Sequence, residues 1–161
     1  MNEMKRPWNR VNLPVYSVSS ACGQDHNMHI CTYVSAVSMT PKRYMVALYH
    51  GTRTLELVRK NGHFVLQLLG DDQYGVVRLL GQESGHRKDK IASLMRRGKL
   101  SAYKDFHVLR EALALVECRV VSSMDGGDHH LFLCDVVSYR NIRPGEPLTT
   151  GLLREKKIIR A

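Results

Sequence analysis

Three short stretches of the chain contain residue types that can bind or process a small ligand. The first is Thr52-Arg53-Thr54, which follows an apolar run and begins a helical pattern, with Thr52 as a credible N-cap. A helix N-terminus offers free backbone N–H groups and the positive end of a dipole, and hydroxyl and guanidinium groups add donors, so the stretch suits a phosphate. A capping threonine beside an exposed arginine explains the same residues without a ligand.

The second stretch is the run from Ile30 to Ser38, which is rich in small and polar side chains. A planar, polar ring system needs backbone N–H and C=O groups at its edge and small side chains that let it approach. The alternative interpretation is a weakly amphipathic strand whose hydroxyl groups face solvent.

The third stretch is Gly127-Asp128-His129-His130, before the last predicted strand of a hairpin. Adjacent residues on a strand point to opposite faces, so one histidine can face a cavity while the other meets solvent. A histidine at a cleft can contact a substrate or carry a proton. A surface turn with two exposed histidines is the alternative.

Other catalytic and metal-binding motifs are missing from the sequence. It has no nucleophile elbow, no P-loop and no G-x-G-x-x-G, so a nicotinamide cofactor would not use a Rossmann crossover. Cys22, His26, His29 and Cys31 form a C-x3-H-x2-H-x-C series, which is unusual for zinc, and no second ligand pair follows. We therefore expect no metal site and reduced, mostly buried cysteines.

The formal net charge is +9 and the pI is about 9.6, but the basic residues are scattered. No nucleic-acid recognition motif accompanies them, so we expect a solvated basic surface rather than a nucleic-acid interface. The same field would attract a small ligand that carries phosphate. The sequence has no apolar run long enough to span a membrane and no apolar stretch of a secretory signal near its N-terminus, so we expect a cytoplasmic protein with no membrane partner.

The hydrophobic patterning predicts a mainly β chain with helical insertions, which favours a barrel. We expect an N-terminal arm over residues 1–12, carrying Trp8, followed by a single domain over residues 13–161. The predicted strands are 13–21, 28–38, 44–49, 63–69, 112–122, 131–139 and 152–160, and the predicted helices are 52–60, 72–80 and 89–97.

The order and spacing of these elements resemble the flavin reductase-like family, the FMN-binding split-barrel group. The resemblance runs from about Val15 to Tyr139. It rests on the segments TYVSAVSMTP, YMVALY, Thr52-Arg53-Thr54, Gly62-His63-Phe64-Val65, Asp89-Lys90, ALALVEC and Gly127-Asp128-His129.

The resemblance implies a Greek-key-like split β-barrel, usually a homodimer, with a flavin bound near the subunit interface. It implies FMN as the cofactor, with FAD possible, and hydride transfer from NAD(P)H to the flavin as the reaction. The alternative is an FMN-binding electron carrier or redox-sensing module without a nicotinamide site of its own.

The resemblance also assigns candidate site residues by position. The isoalloxazine and ribityl chain would contact Cys31, Thr32 and Tyr33, and His129 would lie near the nicotinamide as the catalytic candidate. Ile30 and Tyr33 replace smaller residues, so that Tyr33 either stacks on the ring or narrows the pocket. The phosphate end would be held by Tyr49, His50, Thr52, Arg53 and Thr54.

Overall fold

The structure, a computed structural model, describes residues 4–160 and is dominated by antiparallel strands. The helices are α1 (Arg53–Asn61), α2 (Val77–Gln82), α3 (Lys90–Arg96) and α4 (Thr150–Glu155). The strands are β1 (Tyr16–Cys22), β2 (Asp25–Cys31), β3 (Val34–Ser38), β4 (Arg43–Tyr49), β5 (His63–Leu68), β6 (Leu100–Tyr103), β7 (Phe106–Leu109), β8 (Ala114–Asp125) and β9 (His129–Asn141).

Seven strands form one sheet in the order β2-β1-β5-β8-β9-β4-β3, and β6 and β7 form a separate hairpin. The two end strands, β2 and β3, are consecutive in the chain and are joined by Thr32 and Tyr33 alone. The sheet therefore curls until its ends approach each other, yet β2 and β3 do not pair with each other. This open, curled antiparallel sheet confirms the predicted mainly β fold and its split barrel.

Two hydrophobic clusters cover the two faces of the sheet, as alternation along the strands requires. On β5, Val65 lies in the cluster under α2, α3 and the β6–β7 hairpin, whereas Leu66 lies in the cluster with Leu48 and Phe132. Because both of its faces are covered, β5 buries four consecutive residues, of which three are apolar.

Helix α1 begins and ends where the sequence predicts. The Thr52 hydroxyl accepts a hydrogen bond from the Leu55 N–H at 3.2 Å, and Gly62 ends the helix in the left-handed region, with φ of 74°. Leu55 and Val58, three residues apart, are buried. Within residues 4–160 no helix is both long and apolar enough to cross a bilayer.

The predicted final strand over residues 152–160 is wrong, because α4 occupies Thr150–Glu155. The Thr149 side chain caps this helix by accepting from the Leu152 N–H, and Leu153 is inserted into the core with 2% of its surface exposed. Two adjacent leucines satisfy a strand pattern as well as one helical turn, so the cap and the burial of Leu153 select the helix.

Two other sequence predictions need revision. The extended run over residues 28–38 is two strands, β2 and β3, at opposite ends of the sheet. The helix predicted over residues 72–80 starts as a 3-10 turn (Asp71–Val76) and becomes α-helical only in α2. The hairpin of β6 and β7 corresponds to none of the predicted strands.

Candidate functional site

A cavity of about 680 Å³ opens at the split of the sheet, where the chain crosses from β2 to β3. We call it the large cavity. Beside it lies a small cavity of about 270 Å³ at the start of α1, and Tyr49 and Thr52 line both. Of the nine predicted site residues, eight line one or both cavities: Cys31, Thr32, Tyr33, Tyr49, His50, Thr52, Arg53 and His129.

The ninth predicted residue, Thr54, lies behind the wall of the small cavity. Its side chain is fully buried, and its hydroxyl accepts a hydrogen bond from the Asn27 side-chain amide at 2.9 Å. Asn27 itself lines the small cavity. The Thr54 hydroxyl thus holds a wall residue in place and does not face the cavity.

The N-terminus of α1 supplies backbone donors to the small cavity. The Thr52 hydroxyl accepts a hydrogen bond from the Leu55 N–H, and the Thr52 carbonyl accepts one from the Glu56 N–H at 3.3 Å. Within residues 4–160 the N–H groups of Arg53 and Thr54 have no acceptor, as the geometry of a helix start requires. Free N–H groups and the helix dipole together favour an anion here.

Lys90 adds a buried positive charge to the small cavity, although the sequence analysis assigned it no role. It is 3% exposed, and its Nζ donates to the Leu80 carbonyl at 2.9 Å. Burial lowers the pKa of Lys90 to about 8, while the nearby Glu83 carboxylate acts in the opposite direction. Lys90 precedes the buried Leu94 by four residues, so its place on the inner face of α3 is readable from helical periodicity.

Arg53 also lines the small cavity, but its guanidinium forms ion pairs with two carboxylates. Its Nη2 lies 3.2 Å from Asp25 Oδ1 and its Nη1 lies 3.6 Å from Glu56 Oε2. Much of its charge is therefore compensated within the protein, whereas the Lys90 ammonium donates only to a neutral carbonyl among the described residues.

Strand β2 forms one wall that runs from the small cavity into the large one. Among its alternate residues, Asn27 lines the small cavity and Cys31 lines the large cavity. His29, between them, lines both. Burial lowers the pKa of His29 to about 4, with a contribution from the Lys90 charge, so His29 is neutral at pH 7. Its Nδ1 is buried without a hydrogen-bond partner among the described residues. Because side chains alternate between the two faces of a strand, the sequence already indicates that His29 and Cys31 share one face.

The Cys31 thiol forms part of this wall in its protonated state. It donates to the Ala47 carbonyl at 3.3 Å, and burial raises the pKa of Cys31 to about 12. Because the thiolate is the reactive form, Cys31 serves as a small side chain rather than as a nucleophile.

Aromatic rings surround His129 at the other end of the large cavity. Its ring centroid lies 4.9 Å from that of Tyr33 and 5.3 Å from that of Tyr49. His129 Nδ1 lies 2.6 Å from Asp128 Oδ1. An ionised carboxylate only accepts, so Nδ1 donates to it and Nε2 of a neutral ring is left as an acceptor.

The two adjacent histidines point to opposite faces, as predicted. His129 lines the large cavity, whereas His130 packs against Phe132 with ring centroids 5.0 Å apart. The Cys22, His26, His29 and Cys31 series does not assemble, because Cys22 lies at the turn of the β1–β2 hairpin and Cys31 lies at its other end, opposite Tyr16. Among residues 4–160, the one group of three or more potential metal ligands is His50, Asp125 and His130.

The arm packs beside the large cavity. Pro7–Asn9 form a 3-10 turn, and Trp8 lines the large cavity while 66% of its surface stays exposed. Asn12 Oδ1 accepts from the Gly151 N–H at 2.7 Å, which joins the end of the arm to the start of α4.

Comparison with known proteins gives consistent matches. The family described as Flavin reductase like domain matches residues 8–153. The chain is 30% identical over 116 residues to the reductase component of 4-nitrophenol 4-monooxygenase/4-nitrocatechol 2-monooxygenase from Rhodococcus opacus, covering 72% of this chain and 58% of that protein. It is 29% identical over 124 residues to the NADH-dependent flavin reductase StyB from Pseudomonas fluorescens, covering 77% and 68%.

Among solved structures, the chain is similar to an FMN-binding protein from Thermus thermophilus with bound 1-cyclohex-2-enone. The TM-score is 0.77 at 20% identity, and the match covers 91% of this chain and 83% of that one. At that identity the likeness shows a shared fold.

Proposed function

The chain belongs to the flavin reductase-like family, and from this premise we propose that it binds FMN and reduces it with NAD(P)H. The observation that carries the proposal is that a large cavity adjoins a small one at the start of α1 that contains a free backbone N–H and a buried lysine. The chain spans only 58% of its Rhodococcus relative. The name of that protein, a reductase component, therefore supports the proposal but does not establish the reaction of this chain.

The residues present fit FMN at both ends of the molecule. The large cavity, at about 680 Å³, lies in the usual size range of small-molecule sites, and its walls include strand β2 and the aromatic residues Trp8, Tyr33 and Tyr49. The small cavity offers the Lys90 ammonium and the Arg53 N–H group to a phosphate. We assign the ring to the first and the phosphate to the second.

When bound, FMN supplies a ring that accepts a hydride, and the protein supplies position and electrostatics. Lys90 and the α1 N-terminus hold the phosphate. His129, oriented by Asp128, presents Nε2 as an acceptor at the opposite end. A further cavity of about 480 Å³ is also lined by Thr32, Tyr33 and His129, so a nicotinamide held there would lie beside His129.

We further propose a homodimer. Large apolar side chains stay exposed on the edge strand β3 and on β8 and β9. Exposed apolar groups on one half of a sheet are typical of an interaction surface. Light scattering after size exclusion tests the proposal, and a mass of one chain would refute it. The exposed residues are Val37, Val121, Met124, Val137 and Tyr139.

A turnover assay tests the reductase function. Purified protein is mixed with FMN and NADH or NADPH without oxygen, and the nicotinamide absorbance is followed. We expect flavin-dependent oxidation of at least one nucleotide. Protein that binds FMN but oxidises neither nucleotide would instead be an FMN-binding electron carrier or redox-sensing module.

A further inference from the structure

Three side chains that the proposed reaction leaves unused meet on the face of β9 opposite His129. They are His50, at the end of β4, Asp125, at the end of β8, and His130, at the start of β9. His50 Nε2 lies 2.9 Å from Asp125 Oδ1, and the potential ligand atoms of all three lie within 4.8 Å of one another.

Strand register brings these side chains together. His130 pairs with Asp125 on one side and with Leu48 on the other, so these three residues form a row across the sheet. His50 follows Leu48 by two residues and its N–H donates to the Asp128 carbonyl at 3.0 Å, which joins the end of β4 to the β8–β9 turn. The cluster is therefore set by backbone pairing rather than by one flexible loop.

The donor set suits a borderline divalent cation. Two imidazoles and one carboxylate are ligands that zinc accepts, and the ligand atoms of a tetrahedral zinc lie roughly 3.4 Å apart. Side-chain rotation can bring atoms that now lie within 4.8 Å to that spacing. Phe132 backs the His130 ring, and the Asp125 side chain is 71% exposed, which leaves a fourth position open to water.

We propose that His50, Asp125 and His130 bind one zinc-type divalent cation, which ties the β8–β9 turn to the junction of β4 and α1. His50 lies two residues before Thr52, and His130 follows His129 directly. A bound cation would thus brace the β4–α1 junction beside the small cavity and the start of β9 beside the large cavity. The inference does not depend on flavin binding.

The test uses untagged protein, freed of metal with a chelator and without flavin. Zinc is titrated against a chromophoric zinc indicator for the wild type, His50→Gln, Asp125→Asn and His130→Gln. The matched control is His86→Gln, because His86 is 40% exposed, against 38% for His50, and its Nε2 also lies near a carboxylate, at 3.3 Å from Glu56. Circular dichroism of each metal-free variant verifies its fold.

We expect one equivalent of zinc on the wild type and on His86→Gln, and at least about tenfold weaker binding in each of the other three variants. Zinc should also raise the melting temperature of the wild type and the control, but not of the three variants, because a ligand of the native state stabilises it. Absence of a zinc equivalent on the wild type, or equal binding in all variants, would overturn the proposal and leave His50–Asp125 as a hydrogen-bonded pair. If one of the three variants does not fold, the other two decide the test.

Discussion

The small cavity and the His129 end of the large cavity differ in the side chains that line them. The small cavity contains the buried Lys90, which is 3% exposed, and the N-terminus of α1. At the other end, Tyr33 and Tyr49 are each 53% exposed around His129. We call the first the charged end and the second the aromatic end.

This difference indicates a division of roles between holding and exchanging. Donors that are fixed before binding cost little to organise, so the charged end suits a lasting contact with a phosphate. The aromatic end adjoins a further cavity with room for a second molecule. Changes at the charged end should therefore affect flavin affinity, and changes at the aromatic end should affect turnover.

The largest effect is expected from Lys90→Met at the charged end. A charge-assisted hydrogen bond contributes about 1.5–3 kcal/mol, so the FMN dissociation constant should rise about 10- to 150-fold. Riboflavin, which lacks the phosphate, should bind as before. Quenching of flavin fluorescence measures both constants, and Lys60→Met, at an exposed site near the end of α1, is the control. Equal losses for the two flavins would mean that Lys90 supports the fold and not the phosphate.

His129→Ala tests the aromatic end. Loss of one hydrogen-bonding ring should lower kcat/KM for the nicotinamide about tenfold and leave the FMN dissociation constant nearly unchanged. Asp128→Asn should give a smaller loss, because the ring stays but loses the carboxylate that orients Nδ1. A weaker FMN affinity with unchanged turnover would reverse the roles of the two ends.

A pH titration of FMN affinity distinguishes the two ends further. Burial lowers the pKa of Lys90 to about 8, and only the protonated amine pairs with phosphate, so affinity should be full below that pH and fall above it. We expect a decrease of about fivefold between pH 7 and pH 9 for the wild type. Lys90→Met and the riboflavin titration should show no such decrease. A parallel decrease for riboflavin would assign the titration to another group.

The smallest effect is expected from Thr52→Ala. Losing the N-cap should lower the free energy of unfolding by about 1 kcal/mol, and Thr52→Ser should restore most of it. Thermal melting of the flavin-free protein measures both variants. An unchanged melting temperature in Thr52→Ala would show that the cap of α1 contributes little.

Local signals account for what could be predicted from the sequence. The apolar run of β4 and the Thr52 cap with Gly62 behind it determine the β4–α1 unit through neighbouring residues alone, and this unit carries most of the predicted phosphate end. Features that depend on contacts between distant segments cannot be predicted from local signals. The burial of Lys90 depends on α3 packing against β2, and the Leu152-Leu153 pair fits strand and helix equally well.

The group of His50, Asp125 and His130 shows the same limit. Its members are separated by up to 80 positions in the chain, and only the register of β4, β8 and β9 brings them together. The family resemblance identifies His129 as the site residue of the His129-His130 pair. In the structure, His130 lies on the opposite face of the sheet and belongs to this group.

The ratio of riboflavin to FMN dissociation constants in the wild type tests the assignment of the phosphate to the small cavity most directly. Fluorescence titrations at pH 7 measure both constants on the same metal-free protein. With Lys90 and the α1 N-terminus on the phosphate, FMN should bind at least about tenfold more tightly than riboflavin. A ratio near one would contradict this account, because the small cavity would then hold no phosphate.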